Sequence, residues 1–418
     1  MIARIHYAWI ILVLSFLGVL AVQGVRLSFG AYIEPWEAEF AANRGQISLI
    51  SAVSFIVYGV TVPIFGKLVD RFGVVRVFSL CILLTGASTV CTALASETWH
   101  LMVLYGIISS IGFGGASGVV ATVAVTNWFA ARRGFAYGVL EAGFAAGQMI
   151  IVPASLFLIH GLGWQLAVSI TGTFLIIVIF PIILLFLKNR PEDKKMQPLG
   201  AGEHSSPRED AVQEVRPAPA SEQSPPSGRG SMRALGSRVF WCLFLPFFIC
   251  GYTTTGLMDT HLIPYSHGIG HSVEVTGVAV GLLAAFNIIG CVLSGILSDR
   301  WNPALLLGLL YALRALSMVI LLFAVDPVWL IVFAILFGLA DFATVAPTTL
   351  IASVHFQSYS LGLVIGIFTL GHQIGSALGA WLPGLMHTWT GSYFDAFVIA
   401  IILLVIASML SVSIHPRK

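Results

Sequence analysis

Arg26, Glu141, Asp259, Arg314, Asp341 and His372 are ionisable side chains set well inside long apolar stretches of this chain. Each is costly there unless it meets water or a partner, so each invites a chemical reading. Arg26 presents a planar fork of N–H donors that can grip a carboxylate through two parallel hydrogen bonds. Its plainer alternatives are a structural ion pair or an arginine reaching the outer interface. Asp259 lies in the run Thr253-Thr254-Thr255-Gly256-Leu257-Met258-Asp259-Thr260-His261, and Glu141 shares a helix face with Gln148, two turns on. Either carboxyl is a candidate proton carrier. The bland readings are an Asp already in outer-side water and a Glu set against Arg132 or Arg133 at a helix end. Asp259 lies at nearly the depth of Arg26, so a contact between them would act as a gate. His261 points about 200° away from Asp259 around a helix and ranks below it. Arg314 and Asp341 stand at similar depth and read as a buried Arg–Asp pair, with Asp341 keeping the option of titrating. His372 and Gln373 can bind a substrate or a proton, or hydrogen-bond within their bundle. Asn287 carries the same two readings.

The elements that would position these groups are membrane helices. The chain is 57% hydrophobic and 10% charged, with a formal net charge of +2, a balance that suits a bilayer and not a soluble domain of this length. Spanning a bilayer takes about 20 mostly apolar residues. Twelve stretches qualify, at 7–33, 46–68, 74–96, 99–127, 133–160, 164–187, 239–264, 275–298, 303–324, 328–353, 360–385 and 391–413. The first has no small-residue cleavage site after it and reads as a retained helix. Residues 188–238 are rich in Pro, Ser, Glu and Arg without apolar periodicity and read as a flexible linker. The division is therefore 1–187, a six-helix bundle; 188–238, a linker; and 239–418, a second six-helix bundle. Lys67, Arg71, Arg76, Arg132, Arg133, Arg300 and the basic linker fall on one side, with only Arg44 on the other, which places the linker and both termini in the cytoplasm.

Other chemistries find no footing. The five Cys form no CxxC pair and no Cys/His spacing suits a metal. There is no phosphate-cradling GxxxxGK[ST] loop, so an ATP-driven pump is unsupported. Arg132-Arg133-Gly134 reads as a membrane-orientation signal before nucleic-acid binding is considered. No enzyme, cofactor, metal or nucleic-acid partner is expected.

Two short hairpins carry the same punctuation. Gly66-Lys67-Leu68-Val69-Asp70-Arg71-Phe72-Gly73 is followed by Arg76, and Gly295-Ile296-Leu297-Ser298-Asp299-Arg300 comes later. Each follows the second helix of a half-chain. Gly allows close helix approach, and Asp can accept from a neighbouring helix N-terminus. The pair resembles the signature of the major facilitator superfamily. Ser28-Phe29-Gly30, Asn127-Trp128-Phe129-Ala130-Ala131-Arg132-Arg133-Gly134 and His372-Gln373-Ile374-Gly375 resemble its monocarboxylate-transporter-like branch and the bacterial oxalate/formate-antiporter relatives.

The resemblance implies an all-α membrane protein of twelve transmembrane helices in two pseudo-symmetric six-helix bundles, with helices one, four, seven and ten lining a central cavity. Two cationic anchors of the branch have no counterpart, since Cys291 and Phe368 stand at those positions, and Asn287 stands where an Asp is often found. The expected activity is secondary transport by alternating access, coupled to protons and carrying a small organic anion. The alternatives are an exporter of amphipathic compounds and a transporter-fold sensor that binds without translocating. The expected substrate contacts are Arg26, Asn287, His372, Gln373, Phe29 and Phe342. Proton coupling falls to Asp259, Glu141 or Asp341. Gly66, Asp70, Arg71, Gly73, Arg76, Gly295, Asp299 and Arg300 form the gating motif. The protein is expected as a monomer in the inner membrane.

Overall fold

Residues 6–201, 236–356 and 361–414 are described by a computed structural model. The side chains of Glu141 and Asp299, most of the linker and both extreme termini lie outside the described residues. Among the described residues, twelve helices are long and apolar enough to cross a membrane. In the first half they are α1 Tyr7–Phe40, α2 Arg44–Phe72, α3 Val74–Thr92, α4 Thr98–Trp128, α5 Phe135–Leu162 and α6 Trp164–Phe186. In the second they are α7 Arg238–Gly268, α8 Val273–Ser298, α9 Pro303–Leu322, α10 Pro327–His355, α11 Leu363–Thr390 and α12 Phe394–Val412.

Local signals set the helix ends. Asn43 and Gln46 form a reciprocal capping box at the start of α2. Asn302 and Asp326 cap α9 and α10, each followed by Pro at the first helical position. Gly73, at φ +81°, makes the turn between α2 and α3, a left-handed conformation that a side chain disfavours. α1 runs past its expected end near residue 33 to Phe40, with a break at Ser28 and Pro35 inside its second segment.

The two halves repeat one packing scheme. α1 lies against α5 where Gly24 and Gly147 face each other: a Cβ on Gly24 would stand 2.9 Å from the Gly147 carbonyl. α7 lies against α11 in the same way, and a Cβ on Gly256 would stand 2.7 Å from Gly379 Cα. Lipid offers no hydrophobic drive between helices, so close backbone packing at small residues holds such pairs. Gly147→Leu is expected to destabilise the fold by at least ~1–3 kcal/mol through overpacking. Gly161→Ala, where a Cβ meets nothing within 4 Å, should be neutral. Melting of the purified protein in detergent checks both.

The halves touch mainly at one end. Call the end carrying the chain termini the near end, and the other the far end. At the far end, Gly45 N–H donates to Thr388 Oγ1 at 3.0 Å, and Gly30 packs on the backbone of Asp259 and Thr260. Ala52 and Phe55 of α2 form a buried cluster with Ala377 and Ala380 of α11. At the near end, the hairpin residues Asp70, Arg71, Arg76 and Arg300 are exposed and no hydrogen bond or ion pair joins them to the other half among the described residues. The result is a cleft between the halves that opens toward the near end.

The linker needs a correction. Residues 188–201, expected as flexible, fold back onto the first half. Trp128 Nε1 donates to the Lys188 carbonyl and Asn127 Nδ2 to the Asn189 carbonyl, each at 3.0 Å. The Leu199 N–H donates to the Trp128 carbonyl at 2.9 Å. Polar composition predicted solvation, but the backbone groups at the end of α4 give this segment partners, with a single bridge between Phe129 and Leu199.

Candidate functional site

Arg26 is buried in α1, at 6% exposure, and projects toward α2. Its guanidinium lies over the Tyr58 ring, 4.0 Å from the centroid, and 5.1 Å from that of Phe55. One nitrogen donates to Gln23 Oε1 at 3.3 Å. The remaining donors, Nε and Nη2, are buried with no hydrogen-bond partner. Buried guanidinium donors left open have room for an acceptor, and a carboxylate is one that fits their fork. Aromatic faces hold the cation without neutralising it.

Asp259 faces Arg26's half from α7. Its Oδ1 accepts from Gln148 Nε2 of α5 at 3.0 Å, a hydrogen bond that crosses between the halves. No ion pair within 4 Å links Arg26 and Asp259 among the described residues, so the expected gate contact is not made in this conformation. Gln148 Oε1 and Gln373 Oε1 are buried and unpartnered. Gln373 packs against Gly59, one residue beyond Tyr58, where a Cβ on the glycine would lie 3.0 Å from it. His372 turns its ring toward Phe247, at 4.9 Å between centroids. Phe342 meets Phe144 of the other half edge-on at 5.1 Å. Phe29 stands instead in the core of the first half, against Trp36 and Tyr105.

The Arg314–Asp341 pair takes a different form from the one expected. Arg314 donates to the backbone carbonyls of Ala340, at 2.7 Å, and Asp341, and to Cys250 Sγ at 3.3 Å. The Asp341 carboxyl accepts from Asn287 Nδ2 at 3.2 Å. The reason is a break in α10: the regular helix ends at Ala340 and a short tight turn runs Phe342–Thr344. Carbonyls freed by a break inside the membrane need donors, and Arg314 supplies them. Asn287 Oδ1 accepts the Phe342 N–H on the other side of the break.

Asp70 is exposed and makes no hydrogen bond or ion pair among the described residues, so its expected helix-end contact is absent here. The halves stand apart at that end. Arg71 lies 5.2 Å from the Phe72 ring, and Arg76 and Arg300 are exposed.

Sequence reasoning missed the far-end closure. Arg44 donates twice to Glu37, at 2.5 and 2.7 Å, and once to Tyr393 Oη of the other half at 2.8 Å. Tyr393 Oη lies 2.9 Å from His261 Nδ1, and His261 Nε2 lies 2.6 Å from the Ala380 carbonyl. The carbonyl fixes the His261 proton on Nε2, so the Tyr393 hydroxyl donates to Nδ1. Burial pushes the Tyr393 phenol up, which keeps that hydroxyl protonated at neutral pH. Beside it, His267 Nδ1 pairs with Glu34 across the halves at 2.7 Å. The one available signal was Arg44, the single Lys or Arg expected on that side, close in sequence to Glu34 and Glu37.

Removing these bonds should loosen the far end. Tyr393→Phe with Glu34→Ala deletes two cross-half contacts worth about 1 kcal/mol each. Spin labels at Leu94 and Trp389, in a background without native cysteines, should report a larger share of long distances. An unchanged distribution would show that these bonds do not bias the conformation.

The family model described as Major Facilitator Superfamily matches residues 13–380. The chain is 25% identical to the uncharacterized MFS-type transporter YcxA of Bacillus subtilis (strain 168), over 94% of this chain and 92% of the relative. It is 22% identical to monocarboxylate transporter 12 of Rattus norvegicus, over 97% and 84%. It is 24% identical to the probable sulfoacetate transporter SauU of Cupriavidus necator, over 90% and 87%. Among solved structures it resembles a bacterial homolog of the human lysosomal transporter Spinster, in an inward-facing and occupied conformation. That match has a TM-score of 0.74 at 17% identity, covering 98% of this chain and 97% of the other.

Proposed function

This chain belongs to the Major Facilitator Superfamily of membrane transporters, and on that footing we propose that it carries a small organic anion of the carboxylate class, coupled to protons, by alternating access. The single observation behind the reading is Arg26, with two buried donors open and a bed of aromatic rings beneath. Arg26 holds the anion, and Gln373 and Gln148 offer polar contacts beside it. Asp259 of the opposite half carries the proton, with Asp341 and Glu141 as the next carboxyls in line. Monocarboxylate transporter 12 and the probable sulfoacetate transporter SauU bear the names of small organic anions, which supports the class.

In this reading the two bundles, 1–187 and 239–418, rock about the bound anion. The far-end bonds of Arg44 and Glu34 hold one extreme, and the hairpins at Gly66–Arg76 and Gly295–Arg300 close the other. The excess of Lys and Arg at the near end sets the open cleft toward the cytoplasm of an inner-membrane monomer.

A thermal-shift screen of the purified protein against small carboxylates and sulfonates identifies a ligand. Radiolabelled counterflow of that ligand in proteoliposomes then tests the proposal. Exchange supports it, and binding without exchange would make the chain a sensor. Stabilisation by amphipathic cations alone would make it an exporter of another substrate class.

A further inference from the structure

Away from the cleft, between the start of α3 and the end of α6, the first half presents an open surface pocket of about 590 Å³. Arg76, Lys188 and Lys194 line it, with Asp193 and Asn189 beside them and Leu184 and Leu187 as an apolar wall. None of the three cations is in an ion pair within 4 Å among the described residues. Lys188 donates only to the Leu185 carbonyl, at 3.1 Å, and Lys194 lies 5.1 Å from the Tyr7 ring. The Asp193 carboxyl is turned to a backbone donor, the Arg190 N–H, at 3.1 Å. The pocket thus holds three cations against one carboxylate.

The site is built, not a chance of flexible lysines. Asn189 Oδ1 accepts the Val75 N–H at 3.0 Å and caps the start of α3. Its own carbonyl is fixed by Asn127, and the carbonyl of Lys188 by Trp128. This clasp ties the backbone next to Lys188 to the backbone next to Arg76.

Its depth identifies the ligand. The apolar span of α3 begins at Val74 and that of α6 ends at Phe186, so Arg76 and Lys188 sit at the edge of the hydrocarbon. Lipid phosphates lie at that level, and basic pockets between membrane helices recruit anionic headgroups. One helical turn deeper on the same helix faces as Arg76 and Lys188, Leu80 and Leu184 are 60% and 42% exposed, an apolar strip for acyl chains. A soluble phosphate has no use for that strip. We propose that this pocket binds the phosphate headgroup of an anionic phospholipid, with a doubly charged diphosphatidylglycerol headgroup matching the excess of cations.

Native mass spectrometry of the full chain with diphosphatidylglycerol, phosphatidylglycerol or phosphatidylcholine tests this. The two anionic lipids should remain bound under conditions that strip phosphatidylcholine. Each of Arg76→Ala, Lys188→Ala and Lys194→Ala should weaken retention about fivefold. Lys188→Arg should preserve it, and Asp193→Asn should strengthen it. Equal retention of anionic and zwitterionic lipids, or full retention in the triple alanine variant, would overturn the proposal. If the triple variant does not fold, Asp193→Asn decides, and unchanged retention there counts against the site. Inorganic phosphate is the remaining arm. If it displaces the lipid and alone gives the same thermal protection, the pocket is a soluble-phosphate site and the lipid assignment fails.

Discussion

Arg26→Ala should lower the affinity for the transported anion by about 30- to 150-fold. The estimate rests on losing a charge-assisted bidentate contact, worth about 2–3 kcal/mol. The geometry makes the expectation specific. Nε and Nη2 are the open donors, and these two atoms form one edge of the guanidinium fork. Arg26→Lys retains the charge and the contact with the Tyr58 face but loses the fork, so it should recover only part of the affinity. Binding to purified protein, by calorimetry or thermal shift, measures both. A gate partnership with Asp259 predicts otherwise: Arg26→Ala together with Asp259→Ala would restore binding that Arg26→Ala destroys. The two residues make no ion pair in the conformation with the near end open, so the gate reading needs the contact to form when the cleft closes. A ligand held equally well by the wild type and Arg26→Ala would remove the anion anchor. It would put an exporter of neutral or cationic compounds first.

Asp259→Asn should abolish accumulation driven by a pH gradient while leaving exchange of labelled for unlabelled substrate intact. Exchange needs no net proton movement, whereas accumulation does. Asn keeps the oxygen that accepts from Gln148 Nε2, so the bond between α5 and α7 survives the substitution. What it removes is the ability to bind and release a proton. For a symporter, an acidic outer side loads the Asp259 carboxyl there and a more alkaline interior unloads it, so wild-type uptake rises with that gradient. The neutral variant should show uptake independent of it. The proton also offsets the anion's charge, and each uncompensated charge is worth about 2.3 kcal/mol per 100 mV of membrane potential. Proteoliposome uptake with an imposed pH jump is the measurement. Full gradient-driven accumulation in Asp259→Asn would pass the role to Glu141, Asp341 or His372.

The twelve spans and the family were legible in the sequence. Hydropathy is a local property of the chain, and the bilayer reads it segment by segment, so α1 to α12 could be counted before any packing was known. The paired hairpins carried the family because their spacing is also local. Arg26 stood out for the same reason: a charge inside an apolar run is visible without knowing its neighbours. Which groups meet was a different matter. Gln148 reaches Asp259 across 111 residues, and Arg44 reaches Tyr393 across 349. No periodicity encodes those distances, since they follow from how glycine-faced helices lock each half and how the halves lean together. The Arg314 contacts depended on a break in α10 that freed two carbonyls, which turned an expected ion pair into a backbone clasp. The fold-back of residues 188–201 was hidden for a related reason. Its composition is that of a solvated linker, and only the unpaired backbone at the end of α4, present once the bundle has formed, gives it a place to bind.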